Sequence, residues 1–527
     1  MLTGKNFIGE YLYGLNDYTF AVSLEIDNNK NTYNFHEATK AEIDKAVTLA
    51  AQAFDAYRNT TAYSKFFFLE TIADAISQSK DLLVKVAMQE TFLPQARLEG
   101  DVQRTINQIK LFASLLKDGS WVRAVIDTAQ PDRKPLPKSD IRQMQIPIGP
   151  VAVFGASNFP FAFSVAGGDT ISALAAGCPV VYKAHHAHPA TSELVGKIVI
   201  DAAVKSKMPN GVFALLQGKT NACSITLITH LMIKAIAFTG SYNGGKALFD
   251  AAAKRTEPIP VYAEMGSVNP VFLLPGCLQK DGVPVAEKLA ASNLQNAGQF
   301  CTNPGLIFSV RSSYAENFLS AFANAIKNSN AERMLSEGIC NNYNASIKSL
   351  LVNESAKLRS YGKEITSDKN AVAHMFQTDA KNFLGNKDLW HEVFGPASIH
   401  VIADDVKELK ELAKSLQGQL TTSIWAVEED FELAKELANI LELKAGRVIM
   451  NNVPTGVEVT HAMVHGGPFP ATTDARTTSV GSSAIYRFTR AVCYQNFADQ
   501  LLPEALKKDN PLNIPRLING KISSEKI

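Results

Sequence analysis

The sequence predicts an α/β protein built from more than one domain. Three observations carry that expectation. Between residues 150 and 255 short apolar runs alternate with windows of helical periodicity, the pattern of a parallel sheet covered on both faces. After about residue 262 a second, less regular mixture of strands and helices begins. The chain has 527 residues, more than one compact core holds.

Residues 38–58, ATKAEIDKAVTLAAQAFDAYR, place apolar residues at helical spacing behind Thr39, a residue suited to N-capping. Residues 65–91 and 98–117 continue in helical style. The stretch 123–150, RAVIDTAQPDRKPLPKSDIRQMQIPIGP, is proline-rich with short alternating segments and reads as an extended connector or hairpin arm. PVAVFG (150–155) is a buried strand closed by Gly155. A helix follows at 165–177, a strand at 178–184 (CPVVYKA), a helix at 190–206 and a strand at 211–218. A helix at 225–233, a strand at 234–240 (KAIAFTG) and a helix at 244–255 complete the series. In the second region, 269–275 and 423–429 read as strands and 286–297 as a helix. Residues 484–527 are mixed and end in polar residues.

Formal net charge is +1, so composition makes no electrostatic case for nucleic acid or an anionic membrane surface. The six cysteines (Cys178, Cys223, Cys277, Cys301, Cys340 and Cys493) form no CxxC pair, which excludes zinc ribbons and thioredoxin motifs. In a chain this size they suggest free thiols in a reducing compartment. The start of the sequence shows no basic region followed by an apolar run. The most apolar region, 151–182, is interrupted by Asn158, Pro160, Gly167, Gly168, Asp169 and Pro179, so it cannot be a membrane-spanning helix. A cytoplasmic protein with no membrane or nucleic-acid partner is expected.

Six short stretches carry chemistry. In AFTGSYNGGKALFD (237–250) a strand ends at Gly240, and a helix is expected to begin near Gly245. That turn aims backbone N–H groups at an anion such as a pyrophosphate, with Ser241 able to donate; a plain tight turn is the competing reading. Lys183, in VVYKAHHAHP, lies at the carboxyl end of a predicted strand, where ligands of open α/β sheets bind. His185, His186 and His188 follow it, but no nearby Cys or carboxylate completes a coordination set, so no metal is expected. Glu264, in VYAEMGSVNP, sits among apolar residues; desolvation there should raise its pKa, as a general base requires, unless it is a structural ion-pair partner. Cys301 sits in NAGQFCTNPG with no Lys, Arg or His among its sequence neighbours, so it is either an inert thiol or one activated from a distance. Glu392, in HEVFGP, precedes an aromatic residue and a Gly-Pro turn. Asn158, in FGASNFP, follows the first strand of the sheet and could donate to an oxyanion.

In their order and combination these stretches resemble the NAD(P)+-dependent aldehyde dehydrogenase superfamily, from about residue 40 to about 490. The resemblance implies a Rossmann-type cofactor domain (1–122 and 151–262), an α/β catalytic domain (263–483), a β oligomerisation arm (123–150 and 484–500) and a C-terminal tail (501–527). It implies Cys301 as nucleophile, Glu264 as the base that activates water, and the Asn158 side chain with the Cys301 N–H as oxyanion hole. It assigns Lys183 to the adenosine ribose, Gly240, Ser241 and Gly245 to the pyrophosphate, Glu392 to the nicotinamide ribose and Phe394 to the nicotinamide. A homodimer or homotetramer is expected.

The departures narrow the choice. Ser157 stands where the family usually has tryptophan, and Gly167 where many members have lysine. His186 stands where NAD-preferring members often have Glu; losing that repulsion should admit NADP+, and a protonated His186 would favour it over NAD+. These departures, with PTGVEVTHAMVHGGPFPATTDARTTSVG (454–481), are similar to a branch that oxidises α-ketoglutaric semialdehyde to 2-oxoglutarate. For that anionic substrate Arg104, in a predicted helix, is the candidate carboxylate ligand, with a surface ion pair as the competing reading. A long-chain (fatty) aldehyde dehydrogenase, a cysteine hydrolase, and a binding or structural protein on the same fold remain as alternatives. The hydrolase would need a His near the nucleophile, and none is evident beside Cys301 in the sequence.

Overall fold

The computed structural model describes residues 2–26, 29–364, 367 and 369–527. Among them, the chain builds two seven-stranded sheets and a five-stranded one.

The first sheet runs, from one edge, Val261–Glu264, Ala235–Thr239, Val151–Phe154, Val180–Lys183 and Phe213–Leu216, all parallel; Asn6–Ile8 and Tyr11–Tyr13 extend it antiparallel. The side chains of the five parallel strands are almost wholly buried, as a sheet covered on both faces requires. Chain order reverses at Val151–Phe154: the next two strands lie on one side and the following two on the other. Ligands of such sheets bind at the carboxyl ends beside this reversal. Asn158, Lys183, Ser241 and Glu264 all lie at or just beyond those ends.

The second sheet, in order, is Lys357–Tyr361, His374–Asp379, Ala397–Ala403, Leu306–Val310, Val271–Leu273, Gln419–Trp425 and Ala445–Met450, parallel except at the first pair. Cys301 and Glu392 precede its strands. The site therefore draws from the carboxyl ends of one sheet and the amino ends of the other.

Thr39 caps Lys40–Arg58 as the sequence suggests, in a capping box with Glu42. Other boundaries differ. The helix expected at 225–233 is Asn221–Thr229, and the strand expected at 423–429 is Gln419–Trp425. Short apolar runs do not locate their own ends. The helix expected at 286–297 belongs to Pro275–Leu294, which breaks at Asp281 ahead of Pro284.

Ile141–Pro147 pairs antiparallel with Thr489–Gln495. Residues 501–527, read as a tail, do more than trail away. Arg516–Ile518 pairs parallel with Val125–Asp127, and Lys521–Ser523 closes that edge of the five-stranded sheet. No helix among the described residues is long and apolar enough to cross a membrane.

Candidate active site

Cys301 stands on a strained loop. Asn296, Ala297 and Gly298 take φ values of 51°, 53° and 64° in succession. Left-handed backbone at a residue such as Ala297 costs about 1–3 kcal/mol and persists only where its surroundings hold it. Here the Ala297 N–H donates to Glu332 Oε2 at 2.9 Å. A Cβ on Gly298 would strike the backbone at Gly395, so only glycine fits. Beyond the thiol, Asn269 Nδ2 donates to the carbonyls of Cys301 and Asn303, each at 2.9 Å, and Asn303 Nδ2 to Gly395 O at 3.0 Å. The loop is tied on both sides of the sulfur.

The structure brings a histidine to that sulfur. His465 Nε2 lies 3.6 Å from Cys301 Sγ and 2.9 Å from Glu264 Oε1, and the imidazole is 1% exposed. Ser479 Oγ donates to Glu264 Oε2 at 2.9 Å. His465 and Ser479 sit on an irregular segment that folds across the end of the first sheet. Met265 N donates to Ala471 O at 2.8 Å, and Ser479 N to His465 O at 2.8 Å. The expectation that the thiol lacks a histidine is thus corrected: 164 residues separate the pair in sequence. The signal lay in AMVHGGPFP, a histidine before two glycines, to which the sequence reading attached no chemistry.

Glu264 is also corrected. It is buried as expected, at 5% exposure. Burial pushes its carboxyl up, but the His465 charge and hydrogen bond, with Ser479 and Cys301, more than reverse this and hold it below the ordinary carboxylate value. The thiol moves the other way: burial, with the Glu264 charge, pushes Cys301 well up, and Arg104 only partly offsets this. At rest the site therefore holds the Cys301 thiol, the Glu264 carboxylate and the His465 ring in contact.

Asn158 Nδ2 donates to Gln299 O at 3.1 Å, which fixes the amide above the Cys301 loop with its second N–H to spare. Helix Gln95–Asp118 lines the same space with Arg97, Asp101 and Arg104, spaced for one helical face. Arg104 Cζ stands 4.9 Å from the centre of the Phe163 ring, which in turn lies 5.7 Å from the His465 ring. Sequence reasoning missed Arg97 and Asp101; polar residues at core spacing on an amphipathic helix were the available signal.

Lys183 ends its strand buried, and burial lowers its pKa. Ser241 caps helix Tyr242–Ala253, accepting from Gly244 N at 3.2 Å, so the helix begins three residues before Gly245. Gly245 lies one turn in, packed closely enough that a Cβ there would lie 2.5 Å from Met265 Cγ. Gly240 and Ser241 are exposed at the turn. The three histidines do not converge on a point. His185 and His186 stack at 4.7 Å, and His188 is spent on Ala156 O and Ser192 Oγ. Burial and the neighbouring Lys183, Lys219 and His188 charges push His186 down to about 4, so it is neutral near pH 7 and does not itself supply the charge that would favour NADP+. Glu392 and Phe394 line a pocket of roughly 390 Å³ that Asn303 also borders. The Glu392 carboxyl packs against Gly266, and burial pushes it up to about 8.

Residues 18–468 match the aldehyde dehydrogenase family. The chain is 47% identical over 521 residues, 99% of each chain, to a protein of Acinetobacter baylyi named alpha-ketoglutaric semialdehyde dehydrogenase. It is also 47% identical, over 92% of its length and 93% of the relative's, to alpha-ketoglutaric semialdehyde dehydrogenase 2 of Azospirillum brasilense. Among solved structures it resembles betaine aldehyde dehydrogenase of Staphylococcus aureus in complex with NAD+ (TM-score 0.79, 19% identity, 94% and 95% of the two chains). It likewise resembles aldehyde dehydrogenase 21 of Physcomitrella patens in complex with succinate (TM-score 0.77, 20% identity, 93% and 97%). At those identities the structures speak for the fold.

Proposed function

The chain belongs to the aldehyde dehydrogenase family, and from that premise we propose that it oxidises α-ketoglutaric semialdehyde (2,5-dioxopentanoate) to 2-oxoglutarate with NAD(P)+. The observation that carries the chemistry is the contact of Cys301 Sγ, His465 Nε2 and Glu264 Oε1. Near-full-length identity to two proteins named for that substrate supports the semialdehyde.

The residues at the first sheet's carboxyl edge fit a nicotinamide dinucleotide. The N-terminus of helix Tyr242–Ala253 and the exposed Ser241 hydroxyl offer donors to a pyrophosphate. Lys183 offers a buried cation to ribose hydroxyls, and Glu392 an acceptor to the second ribose. When bound, the nicotinamide supplies a hydride acceptor. With His186 neutral, Lys219 just beyond strand Phe213–Leu216 supplies the positive charge beside it, which favours a 2′-phosphate and hence NADP+.

His465 Nε2 lies within reach of both Cys301 Sγ and Glu264 Oε1, so one nitrogen can take the thiol proton and share it with the ionised carboxylate. The proton passes to Nε2, and the ionised Glu264 beside it stabilises the imidazolium. The thiolate adds to the aldehyde carbon. Asn158 Nδ2–H and the Cys301 N–H meet the oxyanion. After hydride departure a thioester remains on Cys301. The proton held on His465 returns to the departing Cys301 sulfur, the Glu264–His465 pair takes one from the attacking water, and the product leaves as a carboxylate. A carboxylate held below its ordinary value is a weak base alone, which is the reason for assigning the step to the pair.

Arg104 meets the far carboxylate of the substrate, and the five-stranded sheet, whose outer strand Thr489–Gln495 is largely exposed, serves as the arm of a homo-oligomer. The test is a spectrophotometric scan of NADH and NADPH formation with α-ketoglutaric semialdehyde, succinic semialdehyde and a long-chain aldehyde. The semialdehyde is expected to give the highest kcat/KM. A stronger response to the long-chain aldehyde would move the chain to the fatty-aldehyde reading.

A further inference from the structure

The substrate side of Cys301 holds more cation than one carboxylate ligand needs. Arg97 and Arg104 lie seven residues apart on helix Gln95–Asp118, two turns along one face. Arg97 Cζ stands 4.1 Å from the centre of the Phe159 ring and 5.1 Å from that of Phe300; Arg104 Cζ stands 5.6 Å from Phe159 and 4.9 Å from Phe163. The two guanidiniums thus share the Phe159 ring in the apolar cluster that ends at Phe300, the residue before the nucleophile. Both charges act on Cys301.

Asp101 lies between them but is turned away. Its two oxygens accept from the Phe161 and Ala162 N–H groups at 3.1 and 3.3 Å, and neither arginine forms an ion pair with it. It offsets one of the two positive charges and leaves the other. Arg97 Nη2 donates to Asn158 O at 3.4 Å. Three nitrogens, Arg97 Nε, Arg104 Nε and Arg104 Nη2, are buried with no hydrogen-bond partner among the described residues. Buried charged donors without partners are costly, and a ligand that supplies acceptors removes that cost. A carboxylate takes two such donors from one arginine fork. One donor remains.

We infer that Arg97 and Arg104 form a two-guanidinium clamp for the 2-oxo-carboxylate end of the substrate. Arg104 takes the carboxylate, and Arg97 Nε takes the neighbouring 2-oxo oxygen. The inference rests on the semialdehyde reading above and names what that site discriminates. It selects aldehydes that carry a 2-oxo acid over those that carry a plain carboxylate. Because Arg97 also holds the Asn158 carbonyl, engagement of the 2-oxo group is coupled to the residue that meets the oxyanion, so part of the gain falls in kcat.

The test compares three aldehydes of one chain length: 2,5-dioxopentanoate, 5-oxopentanoate and pentanal. Wild type, Arg97→Met, Arg97→Lys and Arg104→Met are assayed after thermal melts establish folding. The wild type is expected to rank them in that order. Arg97→Met should shrink the preference for 2,5-dioxopentanoate over 5-oxopentanoate by about tenfold, the effect of one charged hydrogen bond. Arg104→Met should lower kcat/KM for both acids far more than for pentanal. Equal losses on the two acids in Arg97→Met overturn the clamp while leaving the semialdehyde reading in place. A wild type that prefers pentanal to both acids overturns the semialdehyde reading itself. If Arg97→Met does not fold, Arg97→Lys, which keeps the charge but not the fork, decides by the same ratio.

Discussion

The two sheets present a carboxyl to the same cleft and treat it in opposite ways. Glu264 ends a strand of the first sheet and is held below the ordinary carboxylate value. Glu392, ahead of strand Ala397–Ala403 of the second, is pushed up to about 8. Burial is the largest cause at both and raises both. The difference lies in the partners. Glu264 has His465 at 2.9 Å and the Ser479 hydroxyl; Glu392 has one backbone N–H, from Ser267, and the repelling charge of Glu264. Burial alone therefore does not make a base. The groups that converge on the carboxylate set the sign, and here they come from a segment distant in sequence.

Replacing the nucleophile tests whether the cleft has one reaction centre. Cys301→Ala should lower kcat by about 10⁴-fold or more, with the melting temperature little changed. A modest loss would shift the chemistry elsewhere.

Removing the base at the first sheet should be next in size. Glu264→Gln is expected to slow turnover about 10²–10⁴-fold while leaving a burst of reduced cofactor, because the thioester forms but is not hydrolysed. Mass spectrometry of the quenched enzyme should show the acyl adduct on Cys301. Loss of the burst would make thiol activation, ahead of hydride transfer, the step that depends most on Glu264.

His465→Gln sharpens the comparison most directly, because it should make Glu264 behave like Glu392. Without the imidazole, only the Ser479 and Cys301 hydrogen bonds oppose burial, and the carboxyl rises. A base must be unprotonated to work, so activity is lost as pH falls through its pKa. A higher pKa moves the acid limb of the kcat profile to higher pH. A loss of roughly 10²-fold in rate is expected alongside, the scale of a general base. An acid limb that stays in place would show that His465 does not hold Glu264 down.

The smallest effect belongs to Glu392. In the free protein its carboxyl is largely protonated at pH 7, since its pKa is about 8. Ribose hydroxyls donate more strongly to the ionised form, so cofactor binding should release a proton. Affinity should then tighten as pH rises from 7 toward 8 and level off above, measured by fluorescence titration. Glu392→Gln should flatten that dependence. A flat wild-type profile would separate Glu392 from the ribose.

Much of this cleft was legible in advance. Lys183, Ser241 and Glu264 each follow a short apolar run that ends at a turn, and in a parallel sheet that position faces the ligand edge. The Gly, Asn and Pro around Cys301 marked a turn, and the family resemblance, not the turn, pointed to the thiol. The direction of the Glu264 shift and the charge on His186 were not legible, because both depend on groups supplied from elsewhere in the chain.

The sequence by itself determined the alternation of strand and helix and the turns that close each strand. These rest on periodicity and backbone preference, which act within a few residues. Only the tertiary structure decided that His465 meets Cys301 and that Arg97 stands beside Arg104 over one phenylalanine. It alone placed the last strands against Val125–Asp127. Each of these depends on through-space contact between elements far apart in the chain, and a hydrogen bond at 3 Å carries no mark of the residues that separate its ends.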